Sequence, residues 1–166
     1  MRHKPIIPIL MLSAVGLTQS TLLYPISLWR VKPDFMLSIA VAWSLLRGTE
    51  EGMLWGFVGG VILDLLSGTP LGICILAMVA TCFLVSLGQM SIFPTNITLP
   101  LLAMCLATIT YYLLSLLLLR ATGSPVAWRE TMVRIVLPAT LLNGLCMPLI
   151  YGIMRHFSVF FKRLGW

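Results

Sequence analysis

The stretch WGFVGGVILDLLSGTPLG, residues 55–72, decides the fold. It is almost wholly apolar, yet it holds one carboxylate, Asp64, and a ladder of glycines. Gly52, Gly56, Gly60, Asp64, Gly68 and Gly72 fall four residues apart. On a helix with 3.6 residues per turn, a four-residue step drifts by only about 40°. Gly52, Gly56 and Gly60 therefore make one slowly rotating face without side chains, and Asp64 continues it. Such a face lets another backbone approach closely, as in the small-xxx-small packing of membrane helices. The SGTP segment at 67–70 then ends the helix, and Pro70 suits the first turn of the next.

The surroundings put this stretch in a membrane. Of 166 residues, 59% are hydrophobic and 10% charged, and the mean hydropathy is +1.01. A soluble domain carries roughly 25% charged residues. The chain reads as one integral membrane domain over 1–166. Its net charge of +6 comes from basic residues scattered between apolar runs. They read as topology determinants and headgroup contacts, with no nucleic acid implied.

A helix crossing the bilayer needs about 20 apolar residues. Six candidates run from about 6 to 24, 33 to 46, 51 to 66, 71 to 90, 99 to 119 and 131 to 154. The expected fold class is an all-α, polytopic bundle of about six helices. The second and third are short, so five spans with a shallow hairpin is the rival count. RATGSPVAWRE (120–130) reads as the most hydrophilic loop and RHFSVFFKRLGW (155–166) as a basic tail. The N-terminus resembles a signal peptide but has no convincing cleavage site, and it reads as an uncleaved first helix. With six spans and the N-terminus inside, Arg2, Lys4, Arg47, Arg155, Lys162 and Arg163 face the cytoplasm. Arg30, Lys32, Arg120, Arg129 and Arg134 then face outward. The bias is weak, and the basic flank of the first helix favours both termini inside.

Few polar residues stand inside the apolar runs. Glu51 to Asp64 is 13 residues, about 20 Å of helix, which puts Asp64 in the outer half of the membrane. A carboxylate there must face protein or water. The structural expectation is that it accepts N–H groups from the Ser67–Gly72 turn and caps the fourth helix; a partner-facing role is compatible with this. Asp34 opens the second helix at the same side, where the helix dipole favours an acid. An ion-paired cluster of Asp34 and Asp64 with Arg30 and Lys32 is a further expectation. Asn143, mid-span between Pro138 and Pro148, needs bonding partners within the bundle or on another helix. At least one of Tyr111 and Tyr112 must also find one. The four cysteines read as small buried hydrophobes, and His3 and His156 lie near the ends, so no metal site is expected. Hydrolase and metalloprotease motifs are absent, and no acidic pair has metal-binding spacing. The sequence points to a scaffold or small binding bundle without catalytic residues or cofactors.

KPDFML (32–37), the short helix ending RGTEEG (47–52) and GFVGGVILDLLSGTPLG (56–72) together resemble the MreD family of bacterial rod shape-determining membrane proteins. Lys32 stands where that pattern has Arg. The resemblance implies a non-catalytic subunit of the cell-elongation machinery in the inner membrane. It implies an MreC-like single-span partner and, through it, a RodA-type polymerase with its penicillin-binding transpeptidase, with a link to MreB filaments. It further implies a fold like the substrate-binding S components of energy-coupling-factor transporters. On this view the glycine face docks the partner's span, while Asp34 and Asp64 shape the outer loops or bond the partner's basic residues. The alternative is a vitamin-binding S component, with a cavity lined by Asn143, Tyr111, Tyr112 and Asp64.

Overall fold

A computed structural model describes residues 6–22, 33–68, 70–89, 98–124 and 127–163, and these residues are all helix or short turn. The helices are α1 (Ile6–Leu22), α2 (Phe35–Arg47), α3 (Thr49–Ser67), α4 (Ile73–Gln89) and α5 (Thr98–Ala121). A short α6 (Trp128–Thr131) then passes through a π-helical turn, Met132–Val136, into α7 (Leu137–Arg163). The last three segments run as one helix, so the described residues make a six-helix bundle. The π turn has a local cause. Pro138 brings no N–H and its ring crowds the carbonyl four residues earlier, so the preceding turn widens.

The short second helix is the axis of the bundle. Every residue from Met36 to Leu45 is buried, and α2 touches α1, α3, α4, α5 and α7. A helix apolar on all sides must be enclosed on all sides. Enclosure also removes the length requirement: α2 spans 13 residues, about 20 Å, and meets neighbouring helices where a lipid-facing helix would meet acyl chains. Gly48 alone joins α2 to α3, with φ 91°. That left-handed value is open to glycine at little cost, and it folds the two helices into an antiparallel hairpin.

The outer helices carry the membrane character. Leu99–Ala121 and Trp128–Phe160 are long and apolar enough to cross a membrane. Only 28% and 39% of their most apolar windows are buried, so these segments turn mostly apolar surface outward, as a soluble core helix does not. Leu106, Leu141, Leu145 and Leu149 are among the exposed side chains. The last helix corrects the expected basic tail. The 33 residues from Trp128 to Phe160 extend about 50 Å, well beyond the roughly 30 Å hydrocarbon core. Arg155 and His156 therefore sit on continuing helix.

Candidate functional site

Two clusters of polar side chains stand at the two ends of the α2–α3 hairpin. At one end, Asp64 lies near the C-terminus of α3, which closes on Gly68 in the left-handed conformation, φ 66°. Its carboxylate accepts the backbone N–H groups of Gly72, Cys74 and Ile75 at 2.8, 2.9 and 3.3 Å. Asp64 is 3% exposed, and these three donors belong to the first turn of α4. An α-helix leaves its first N–H groups without internal partners. In an apolar setting one carboxylate supplies what water cannot, and the helix dipole favours its charge. Gly72 holds φ 104°, which turns its N–H toward Asp64.

Asp34 does the same for α2 and joins it to two further helices. Its side chain accepts the Leu37 N–H at 3.1 Å. Its own N–H donates to Asn143 Oδ1 of α7 at 2.8 Å. Asn143 Nδ2 in turn donates to Thr108 Oγ1 of α5 at 3.3 Å, and the Thr108 hydroxyl donates to the Met104 carbonyl at 2.8 Å. Asp34 and Asp64 thus lie toward the same end of the α2–α3 hairpin. They do not pair with each other: each caps a helix. Arg30 and Lys32 of the expected ion-paired cluster lie outside the described residues.

The glycine face is filled from within the bundle, which corrects the expectation that a partner's span docks on it. A Cβ at Gly52 would collide with the Ser44 side chain of α2. One at Gly56 would lie 3.0 Å from Cys82 Sγ and 3.2 Å from the Met78 carbonyl, both of α4. One at Gly60 would lie 2.5 Å from the Ile75 Cα, again in α4. The ladder is the seam along which α3 meets its own neighbours. Gly52, Gly56, Gly59 and Gly60 are all buried.

The opposite end holds a cluster that sequence reasoning missed. Trp43 and Trp55 stack with centroids 4.5 Å apart. Glu51 accepts from the Trp43 indole and from Arg47 Nε, both at 3.0 Å, and the Arg47 guanidinium lies 5.7 Å from the Trp43 ring centre. The signal was available: a one-residue turn at Gly48 brings positions 43 and 55 together across an antiparallel pair. Glu50 and Glu51 also occupy the first turn of α3, where the helix dipole favours negative charge. Among the described residues, no three His, Cys, Asp or Glu side chains are grouped to hold a metal ion.

The ladder, Asp34 and Asp64 thus hold structural positions in the bundle. A family model for the rod shape-determining protein MreD matches residues 3–161. The chain belongs to the MreD family. No solved structure matches it, so the implied likeness to transporter S components is an expectation from the resemblance alone. Membership makes the chain a membrane protein of the rod shape-determining class. In this MreD-family bundle the segment carrying the resemblance, 32–72, builds α2, α3 and the α3–α4 junction, which are the centre of the fold.

Proposed function

We propose that the protein is a non-catalytic membrane subunit of the cell-elongation machinery. It holds an MreC-like single-span partner and, through it, supports peptidoglycan synthesis by a RodA-type polymerase and its transpeptidase. Both termini lie in the cytoplasm, so the Asp34–Asp64 end of the bundle faces outward. The observation that carries this reading is where the polar groups are spent. Asp34, Asp64, Asn143 and Thr108 are buried and bonded to the bundle's own backbone and side chains. The outer surface of the described long helices is mostly apolar.

The vitamin-binding alternative is disfavoured by the same geometry. Asn143 is 0% exposed and its amide oxygen and nitrogen are both engaged, and Asp64 is occupied by three N–H groups.

The test is affinity purification in mild detergent with the genomic neighbours co-expressed, followed by mass spectrometry. Recovery of an MreC-like protein with the synthase pair is the expected result. A lone protein carrying a stoichiometric small molecule would overturn the reading.

A further inference from the structure

The last helix meets the two faces of the membrane unequally. Between Arg134 and Arg155 stand 20 residues without a charge. They make about 30 Å of helix, which matches the hydrocarbon core of a bilayer, so the two arginines mark its two faces. At one face Arg134 is neutralised by Glu130, 2.9 Å away. At the other, Arg155 and His156 are exposed. All five acidic side chains of the chain are described, and none of the ion pairs among the described residues includes Arg155 or His156.

The surface leading up to these two residues has the order of a phospholipid. Leu145, Leu149 and Ile153 stand four residues apart, so they form one stripe along α7. They are 75%, 71% and 47% exposed. His156 comes two turns after Leu149, about 20° off its line, and Arg155 lies beside it. From Leu145 to Arg155 is 10 residues, about 15 Å, which is one leaflet of the core. At the level of the cations and beyond them, a hollow of about 490 Å³ is lined by Arg155, His156, Val159 and Phe160. An apolar stripe at acyl depth, two N–H-bearing groups at phosphate depth and room for a headgroup thus follow one another along the helix. A guanidinium offers a fork of donors that fits phosphate oxygens. A zwitterionic headgroup would add an ammonium that none of these four residues can pair, whereas an anionic one brings only the charge that Arg155 lacks.

We infer that α7 carries a binding site for one anionic phospholipid, in the leaflet at its C-terminal end. An acyl chain lies along Leu145, Leu149 and Ile153. Arg155 and His156 donate to the phosphate, and the headgroup occupies the hollow beside Val159 and Phe160. The lipid neutralises the boundary arginine that no acidic side chain of the chain pairs. It fixes the depth at which α7, longer than the core is thick, leaves the membrane. The site stands independently of the partner reading above.

The experiment takes the whole protein, purified alone in mild detergent, adds phosphatidylglycerol or phosphatidylcholine at equal concentration, and counts retained lipid by native mass spectrometry. One retained phosphatidylglycerol per protein is expected, with phosphatidylcholine held about tenfold more weakly. Arg155→Ala should weaken phosphatidylglycerol by about tenfold or more. Arg155→Lys keeps the charge without the fork and should fall between. Arg155 is exposed, so both variants should keep the wild-type unfolding midpoint. Arg129→Ala removes an equal charge from an exposed position near the other face and should leave retention unchanged. Equal retention of the two lipids would overturn the site. So would equal losses in Arg155→Ala and Arg129→Ala, which mean diffuse attraction to charge. Displacement of the lipid by inorganic phosphate alone would overturn it too, as the mark of a simple anion site. None of these results touches the partner reading, since no partner is present.

Discussion

The backbone N–H of Asp34 donates to the side-chain oxygen of Asn143, 2.8 Å away and 109 positions along the chain. This bond fixes the start of the central helix to the middle of the last one. Asn143 then reaches Thr108, so three helices are joined by one amide.

Asn143→Leu keeps the volume and removes both bonds. It leaves the Asp34 N–H without its acceptor in an apolar core, a cost of about 1–3 kcal/mol. Thr108→Val removes the weaker of the two bonds and should cost about 0.6 kcal/mol, the average for hydrogen bonds between membrane helices. Thermal unfolding in detergent should rank wild type, Thr108→Val and Asn143→Leu in falling order of stability. Equal midpoints for the two variants would contradict the arrangement.

Asp64→Leu deprives the first turn of α4 of its acceptor, and the loss should reach at least the ~1 kcal/mol of a lost helix cap. Asp64→Asn keeps one acceptor oxygen and should lose less. Hydrogen exchange at Gly72, Cys74 and Ile75 reads this directly: the three amides should exchange faster in Asp64→Leu while the α5 amides stay protected.

Gly60→Ala puts a methyl group against the Ile75 backbone, 2.5 Å from its Cα. Backbone cannot move aside as a side-chain tip does, so α3 and α4 must part, at about 1–3 kcal/mol. Gly152→Ala meets open space and should be neutral or stabilising, since Ala is the better helix former by roughly 1 kcal/mol. The two variants should move the unfolding midpoint in different amounts, with the large loss at Gly60.

Glu51→Ala withdraws the carboxylate that both Trp43 and Arg47 bond. With the Arg47–Glu51 pair only 10% and 25% exposed on its side chains, the loss should exceed that of a surface pair, about 1 kcal/mol at most. Tryptophan emission should shift as the Trp43–Trp55 stack loosens, and Glu51→Gln should restore most of it.

Much of this architecture is legible in the sequence. Apolar runs set by Pro, Gly and charge put α2 at 33–46, and it runs from Phe35 to Arg47; Asp64 caps α4 as the turn chemistry implies. The last helix is the main miss at the level of elements. Arg155 and His156 read as a boundary, yet charged residues on the flank of a helix leaving a membrane are no reason for it to stop. The glycine ladder shows the other kind of limit. Its spacing states that a backbone comes close, but not whose. The approaching segments prove to be α2 at Gly52 and α4 at Gly56 and Gly60, all of the same chain, which about 40° of drift per step cannot reveal.

The most direct test of the account is to separate the interior from the surface in a living cell. Asp34→Asn and Asp64→Asn keep shape and a hydrogen-bond acceptor while removing the charge, and each would replace the wild-type protein. Cell width and roundness would be measured beside the abundance of each variant in the membrane. The account predicts that wherever a variant accumulates to wild-type level the cells stay rod-shaped, because the carboxylates serve the fold. Round cells with a variant at full abundance would contradict it, and would make the buried acids themselves the functional site.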